Sequence, residues 1–102
     1  MEKKFGVHIN NEALEDIFDI YNYISKDSIY YAIKTKNEIK EKIIDLTFMP
    51  YIGKKIENFV DYGIRELIYK SYRIIYSVNL KTIYIHRVLH SARLLSKNLI
   101  KI

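Results

Sequence analysis

Over the first half of the chain apolar residues recur at steps of three and four; after Gly63 they recur at steps of two. These are the periods of an α-helix with one buried stripe and of a β-strand with one buried face. Ala13, Ile17, Ile20, Tyr21 and Ile24 make a first helical stripe. Ile29, Ala32, Ile33, Ile39, Ile43 and Leu46 make a second. Residues 25–28 interrupt the pattern. Asn10 or Asn11 is expected to cap the first helix and Asp27 or Ser28 the second, because short polar side chains accept from the free N–H groups of a first helical turn. Glu12, Glu15 and Asp16 fall near the positive end of the first helix, where acid is favoured. Pro50 ends the second helix, since proline disfavours helical geometry at the residue before it. So tight a connection predicts an antiparallel α-hairpin.

Residues 5–9 predict a short first strand with Phe5, Val7 and Ile9 on one face. Residues 64–69, 72–78 and 82–89 predict three more, joined by connections short enough for an antiparallel meander. Residues 51–61 are expected to be loop, and Asn79-Leu80-Lys81 a hairpin turn. The predicted fold is α+β: an N-terminal strand that joins the sheet, an α-hairpin over one face, and a three-stranded meander. Strict alternation places Arg65, Leu67 and Tyr69 on one side of their strand and Glu66 on the other. It places Ile83, Ile85, Arg87 and Leu89 together, opposite Tyr84, His86, Val88 and His90. Both faces carry apolar residues, so the second face needs a cover, the tail 91–102 or a partner. The tail itself fits a short helix, an extra strand or an irregular segment.

At 102 residues and 49% hydrophobic composition, the chain suits one globular domain spanning 1–102. No apolar run approaches the ~20 residues that span a bilayer. Residues 1–4 do not lead into a signal-peptide core, so a cytoplasmic location without membrane contact is expected. With no cysteine, disulfides, thiolate catalysis and cysteine-ligated zinc are excluded. His86 and His90 join no carboxylate cluster at metal-ligand spacing, and Gly53 and Gly63 are isolated turn glycines rather than a phosphate loop. No metal, cofactor or small-molecule substrate is expected.

Charge changes the picture more. Residues 1–50 carry seven Lys and nine Asp/Glu; residues 51–102 carry ten Lys/Arg and three Asp/Glu. Net charge therefore swings from −2 to +7 along one domain with an overall +5. AT-rich codon usage explains abundant lysine and tyrosine, but not four arginines confined to positions 65–93. Arginine grips carboxylate or phosphate with a planar fork. Arg65, Arg73, Arg87 and Arg93, with His90, Lys54 and Lys55, are therefore the candidate surface for an anionic partner. A duller alternative has Arg65 paired with acid from the helices and Arg73 capping the sheet edge. Glu12, Glu15, Asp16 and Asp19 are expected to be the solvated face of the first helix. The ten tyrosines are expected mainly in packing, and His8 in a strand without a role.

Five segments, in order, resemble the RelE/ParE superfamily of type II toxin–antitoxin toxins. They are ALEDIFDIYNYIS in the first helix, PYIGKK after the second, GIREL, YRIIYSV and IYIHRVLHSAR in the meander. The resemblance covers nearly the whole chain and implies a RelE/ParE-like sheet with an α-hairpin, held in check by a cognate acidic antitoxin. HSAR and GIREL look more like the ParE branch, whose members poison DNA gyrase without a nuclease site. The RelE branch cleaves mRNA on the ribosome and places a catalytic tyrosine or histidine–tyrosine pair near the C-terminus. After Ile85 this chain has histidine and no tyrosine. If the RelE-like activity applied, Arg65 and Arg73 would clamp the phosphate and His90 would be acid or base. Glu66 would be a possible base, and Lys54 and Lys55 would hold flanking RNA. A third alternative is an inactive binding module of the same fold.

Overall fold

The computed structural model describes residues 4–93 and 95–100, with the side chains of all but Val60, Asp61 and Lys97. The elements are strand β1 (Gly6–Ile9), helices α1 (Asn11–Ser25) and α2 (Ile29–Phe48), and strands β2 (Lys54–Lys55), β3 (Arg65–Tyr69), β4 (Tyr72–Asn79) and β5 (Thr82–His90). Short 3₁₀ segments lie at Glu57–Tyr62, kinked at Phe59, and at Lys97–Leu99. The sheet order is β1-β5-β4-β3-β2. β2 to β5 form antiparallel neighbours, while β1 lies parallel beside β5, with Gly6 opposite Thr82 and Ile9 opposite Ile85. The predicted strand, α-hairpin and meander are all present. β2 and the 3₁₀ turn fall inside the segment expected to be loop; a two-residue strand is too short for any period to show.

Local chemistry explains the helix ends. Ser28 caps α2, its hydroxyl accepting from the Tyr31 N–H at 3.2 Å. α2 stops at Phe48, with Met49 non-helical before Pro50. At α1 the expectation is corrected. Asn10 occupies the cap position, but its side chain makes no cap hydrogen bond. Its amide nitrogen instead lies 3.2 Å from His86 Nδ1. The Phe5 N–H donates to the Thr47 carbonyl at 2.8 Å, tying the start of β1 to the end of α2.

Two cores result. The larger, between the helices and the sheet, contains Ala13, Ile17, Ile39, Leu46, Tyr76 and Ile83 among others. The smaller covers the opposite sheet face with Phe59, Ile64, Ile75, Leu89 and Ile100. The second face is thus closed by the 3₁₀ turn before β3 and by the C-terminal tail. Each fully buried isoleucine contributes about 2–3 kcal/mol over an exposed one.

One irregularity breaks the alternation expected for β5. Ile75 faces Arg87, yet the next residue, Tyr76, faces Ile85. His86 is therefore an extra residue, a β-bulge that shifts the side-chain parity beyond it. Val88 accordingly joins Ile83 and Ile85 in the larger core, while Leu89 enters the smaller one.

Candidate functional site

The four arginines take four different environments. Arg65, at the start of β3, faces Tyr76 across the sheet. Its Nη1 donates to the carbonyls of Tyr51 (3.1 Å) and Gly53 (2.8 Å), and its guanidinium lies 5.2 Å from the Tyr51 ring centroid. Among the described residues no carboxylate reaches it, and no acid of the helices pairs with it. Arg73 is different: Nε and Nη2 donate to the two oxygens of Glu66 at 3.0 and 3.3 Å. Its Nη1 donates to the Arg93 carbonyl at 3.2 Å, which fastens the start of the tail.

Arg87, not Arg65, pairs with an acid of the helices. Nε and Nη2 donate to Asp16 of α1 at 2.7 and 2.8 Å, and Nη1 donates to the Leu99 carbonyl at 3.1 Å. Both side chains of this pair are largely buried, at 14% and 12% exposure. The hydrogen bond to Asp16, set against burial, holds the Arg87 pKa above its already high ordinary value. Asp16 is consequently not part of a solvated helix face, and Arg87 has no free fork for an outside anion. Arg93 follows β5 at the surface.

His90 ends β5 opposite Tyr72, with ring centroids 5.9 Å apart. Its Nδ1 accepts from the Ala92 N–H at 3.1 Å. Arg65 and His90 are not neighbours. Their partners on β4, Tyr76 and Tyr72, are four residues apart, about 13 Å of strand at about 3.3 Å per residue. The sheet thus separates Arg65 from His90, and brings Arg73 beside Glu66. Lys54 and Lys55 form the outer edge strand, opposite Glu66 and Arg65 respectively.

His86, the bulged residue, is held inside. Ser77 Oγ lies 2.8 Å from its Nε2. Burial pushes its pKa below the ordinary histidine value. With the Asn10 amide N–H donating to Nδ1, the neutral ring carries its proton on Nε2 towards Ser77.

A second feature lies on the helix side. Ile9, Leu14, Ile17, Phe18 and Tyr21 line a cavity of about 370 Å³ together with Lys36 and Lys40. An adjoining cavity of about 190 Å³ shares Ile9 and Lys40 and adds Val7, Ile43 and Ile44. Leu14 and Phe18 are 50% and 63% exposed. None of these groove residues was a sequence candidate. The signal was present: Leu14 and Phe18, four apart, widen the apolar surface of α1 beyond its first stripe, next to Tyr21.

The profile of a family described as "ParE toxin of type II toxin-antitoxin system, parDE" matches residues 7–95. No curated protein matches the chain significantly. Among solved structures, the chromosomal ParDE toxin–antitoxin system of P. aeruginosa is similar at TM-score 0.70 and 20% identity, over 85% of this chain and 96% of that one. The RelBE2 toxin–antitoxin complex of Mycobacterium tuberculosis is similar at TM-score 0.57 and 21% identity, over 85% of this chain and 98% of that one.

Proposed function

Because the chain belongs to the ParE toxin family of type II toxin–antitoxin systems, we propose that it arrests growth by binding a protein target, DNA gyrase, in the cytoplasm, and that an acidic antitoxin neutralises it. The observation that carries this reading is the scattering of the nuclease candidates. Phosphoryl transfer from a 2′-hydroxyl needs a base, an acid and cations around one phosphate. Arg65 and His90 flank β4 four residues apart, beside Tyr76 and Tyr72, and Arg73 is bound by Glu66, which in turn is lost as a free base. Contact with a protein target requires no such convergence.

The groove beside α1 supports the antitoxin half of the proposal. Its lining is apolar apart from two lysines, Lys36 and Lys40. An amphipathic segment with carboxylates flanking its apolar face would fill it.

One observation favours the endonuclease as a second reading. Tyr72 supplies, across the strand, the tyrosine beside His90 that the C-terminal sequence lacks. The test is to add the purified protein to gyrase supercoiling reactions and, separately, to translating ribosomes. Blocked supercoiling with intact mRNA is the expected result. Translation-dependent mRNA cleavage with unaffected gyrase would replace this reading by the second, and inactivity in both would leave a binding module.

A further inference from the structure

The turn between β4 and β5 carries a residue that does not suit it. Asn79 pairs with Thr82, so Leu80 and Lys81 form a two-residue turn, and Leu80 opens it at φ 56°. Glycine, asparagine or aspartate is the ordinary choice for such a backbone. Lys70 takes φ 51° in the matching turn between β3 and β4, but its side chain makes contacts there. Its ammonium lies 3.5 Å from Glu38 and 5.4 Å from the Tyr69 ring centroid. Leu80 has no such compensation, because its apolar side chain is 88% exposed. Backbone strain and a large exposed apolar group at one residue conflict with folding, and such conflicts point to a use outside the fold.

More apolar side chains share that end of the molecule. The Gly6 N–H donates to the Lys81 carbonyl and the Phe5 N–H to the Thr47 carbonyl, both at 2.8 Å. The start of β1 thus holds the Leu80 turn next to the end of α2. Phe48, Met49, Tyr51 and Ile52 follow there, each more than half exposed. A turn at Pro50, in which the Ile52 N–H donates to the Met49 carbonyl at 3.2 Å, holds this run in a compact tip. The partly buried Phe5 ring joins the two tips, with the Tyr51 centroid at 6.5 Å and Lys81 Nζ at 5.2 Å. Lys4, Lys54, Lys55 and Lys81 are exposed around them. Among the described residues no carboxylate forms an ion pair with any of these lysines.

We propose that this end of the molecule is an interfacial membrane anchor, with Leu80, Met49, Ile52 and Tyr51 entering the headgroup layer of an anionic bilayer and the lysines against its phosphates. Aliphatic tips, an interfacial tyrosine and a basic surround are the parts that peripheral attachment combines. Lysine is depleted at protein–protein interfaces, whereas at an anionic lipid surface each one adds to binding. A nucleic acid would use the lysines but leave Leu80, Met49 and Ile52, which have no ring to stack on a base, without a role. No helix among the described residues is long and apolar enough to cross a membrane, so the attachment is to one surface. The expectation of no membrane contact rests on that same lack of a spanning run, which an interfacial attachment does not need. The attachment requires neither gyrase nor antitoxin.

The experiment is co-sedimentation of the protein with vesicles of phosphatidylcholine, alone or mixed with phosphatidylglycerol. The chain has no tryptophan, so Leu80→Trp adds a single reporter whose emission shifts to the blue when the ring leaves water. Binding to the anionic vesicles alone, with that shift, is the expected result. Leu80→Gly, which suits the left-handed turn, should weaken binding about tenfold, as expected for losing most of a buried leucine side chain. Lys54→Ser/Lys55→Ser should weaken it about thirtyfold, at about fivefold per lysine. Thermal unfolding confirms that each variant is folded. No sedimentation with anionic vesicles, or an unshifted Leu80→Trp emission, would overturn the proposal. So would unchanged affinity in Leu80→Gly, which leaves charge attraction alone. Loss of antitoxin or gyrase binding in Leu80→Gly, with vesicles ignored by the parent, would also overturn it and assign the surface to a protein. Gyrase reactions run without lipid, so either idea can fail alone.

Discussion

Asp16 and Arg87, 71 positions apart, are joined by two hydrogen bonds of 2.7 and 2.8 Å, and the same carboxylate accepts the Val88 backbone N–H at 2.9 Å. The position of this contact explains its form. β1 ends at Ile9, opposite Ile85, while β5 runs on to His90. Beyond Ile85 the outer edge of β5 has lost its strand neighbour, and a side chain of α1 takes over as acceptor. Arg87 then passes the link to the tail through the Leu99 carbonyl.

Asp16→Ala should therefore destabilise the fold by about 3 kcal/mol, since it leaves a largely buried guanidinium unpaired and frees a strand N–H. Urea unfolding measures it. Asp16→Leu combined with Arg87→Met should cost less than the sum of the single changes, because the unpaired charge disappears. Strict additivity would mean that the pair is not coupled.

Much of this was legible in the sequence. Helical and strand periods located α1, α2 and the meander, and apolar residues on both sheet faces required a second cover, which the tail provides. The Asp16–Arg87 pair was hidden because α1 period alone cannot say which acid turns inward, and because the bulge at His86 moves Arg87 out of its expected register. The bulge itself has no signature: IYIHRVLH alternates acceptably without one. Charge alone marks Lys54 and Lys55 as an anion surface, whereas the neighbouring rings of Phe5 and Tyr51 come together only through the fold.

His86 makes stability depend on pH. Burial lowers its folded-state pKa below the unfolded value of about 6.5. Between those two values the unfolded chain binds a proton that the folded protein does not. Stability from this group is present above about pH 6.5 and declines as the pH falls towards the folded pKa. His86→Gln, which keeps a polar side chain but cannot titrate, should flatten that part of a stability–pH curve. An unchanged slope would exclude His86 as its source.

Gly53 is required by a close approach. A Cβ there would fall 2.6 Å from Tyr76 Cε1 and 2.8 Å from the Glu66 carbonyl oxygen, both in the packed sheet. Its N–H donates to the fully buried Tyr76 hydroxyl at 2.8 Å. Gly53→Ala should cost about 2–3 kcal/mol through forced displacement. Tyr76→Phe, which removes only the acceptor, should cost about 1–3 kcal/mol. Chemical denaturation of both variants tests the order.

Two hairpin turns start with a left-handed residue that is not glycine, Lys70 at φ 51° and Leu80 at φ 56°. Left-handed backbone costs an ordinary residue about 1–2 kcal/mol. Leu80 is 88% exposed, so its side chain contributes little packing in return. Leu80→Gly should raise the unfolding free energy by about 1 kcal/mol, reduced from the full strain by the greater freedom glycine has when unfolded. A lower melting temperature for this variant would show that Leu80 makes a contact worth more than its strain.

Phe18 offers the cleanest separation of folding from antitoxin recognition. It is 63% exposed, lies outside both cores and lines the groove between α1 and the lysines of α2. Phe18→Asp should leave the melting temperature within about 2 °C of the parent, as expected for a surface change. In an acidic, amphipathic antitoxin it would meet both an apolar face and like charge, so affinity should fall at least about a hundredfold, or about 2.7 kcal/mol. Calorimetric titration of the cognate antitoxin into both proteins makes the comparison. Growth arrest by the variant, no longer relieved by co-expressed antitoxin, would place the antitoxin in this groove and the toxic contact elsewhere. Loss of arrest with antitoxin affinity intact would reverse that assignment and make the groove the target surface.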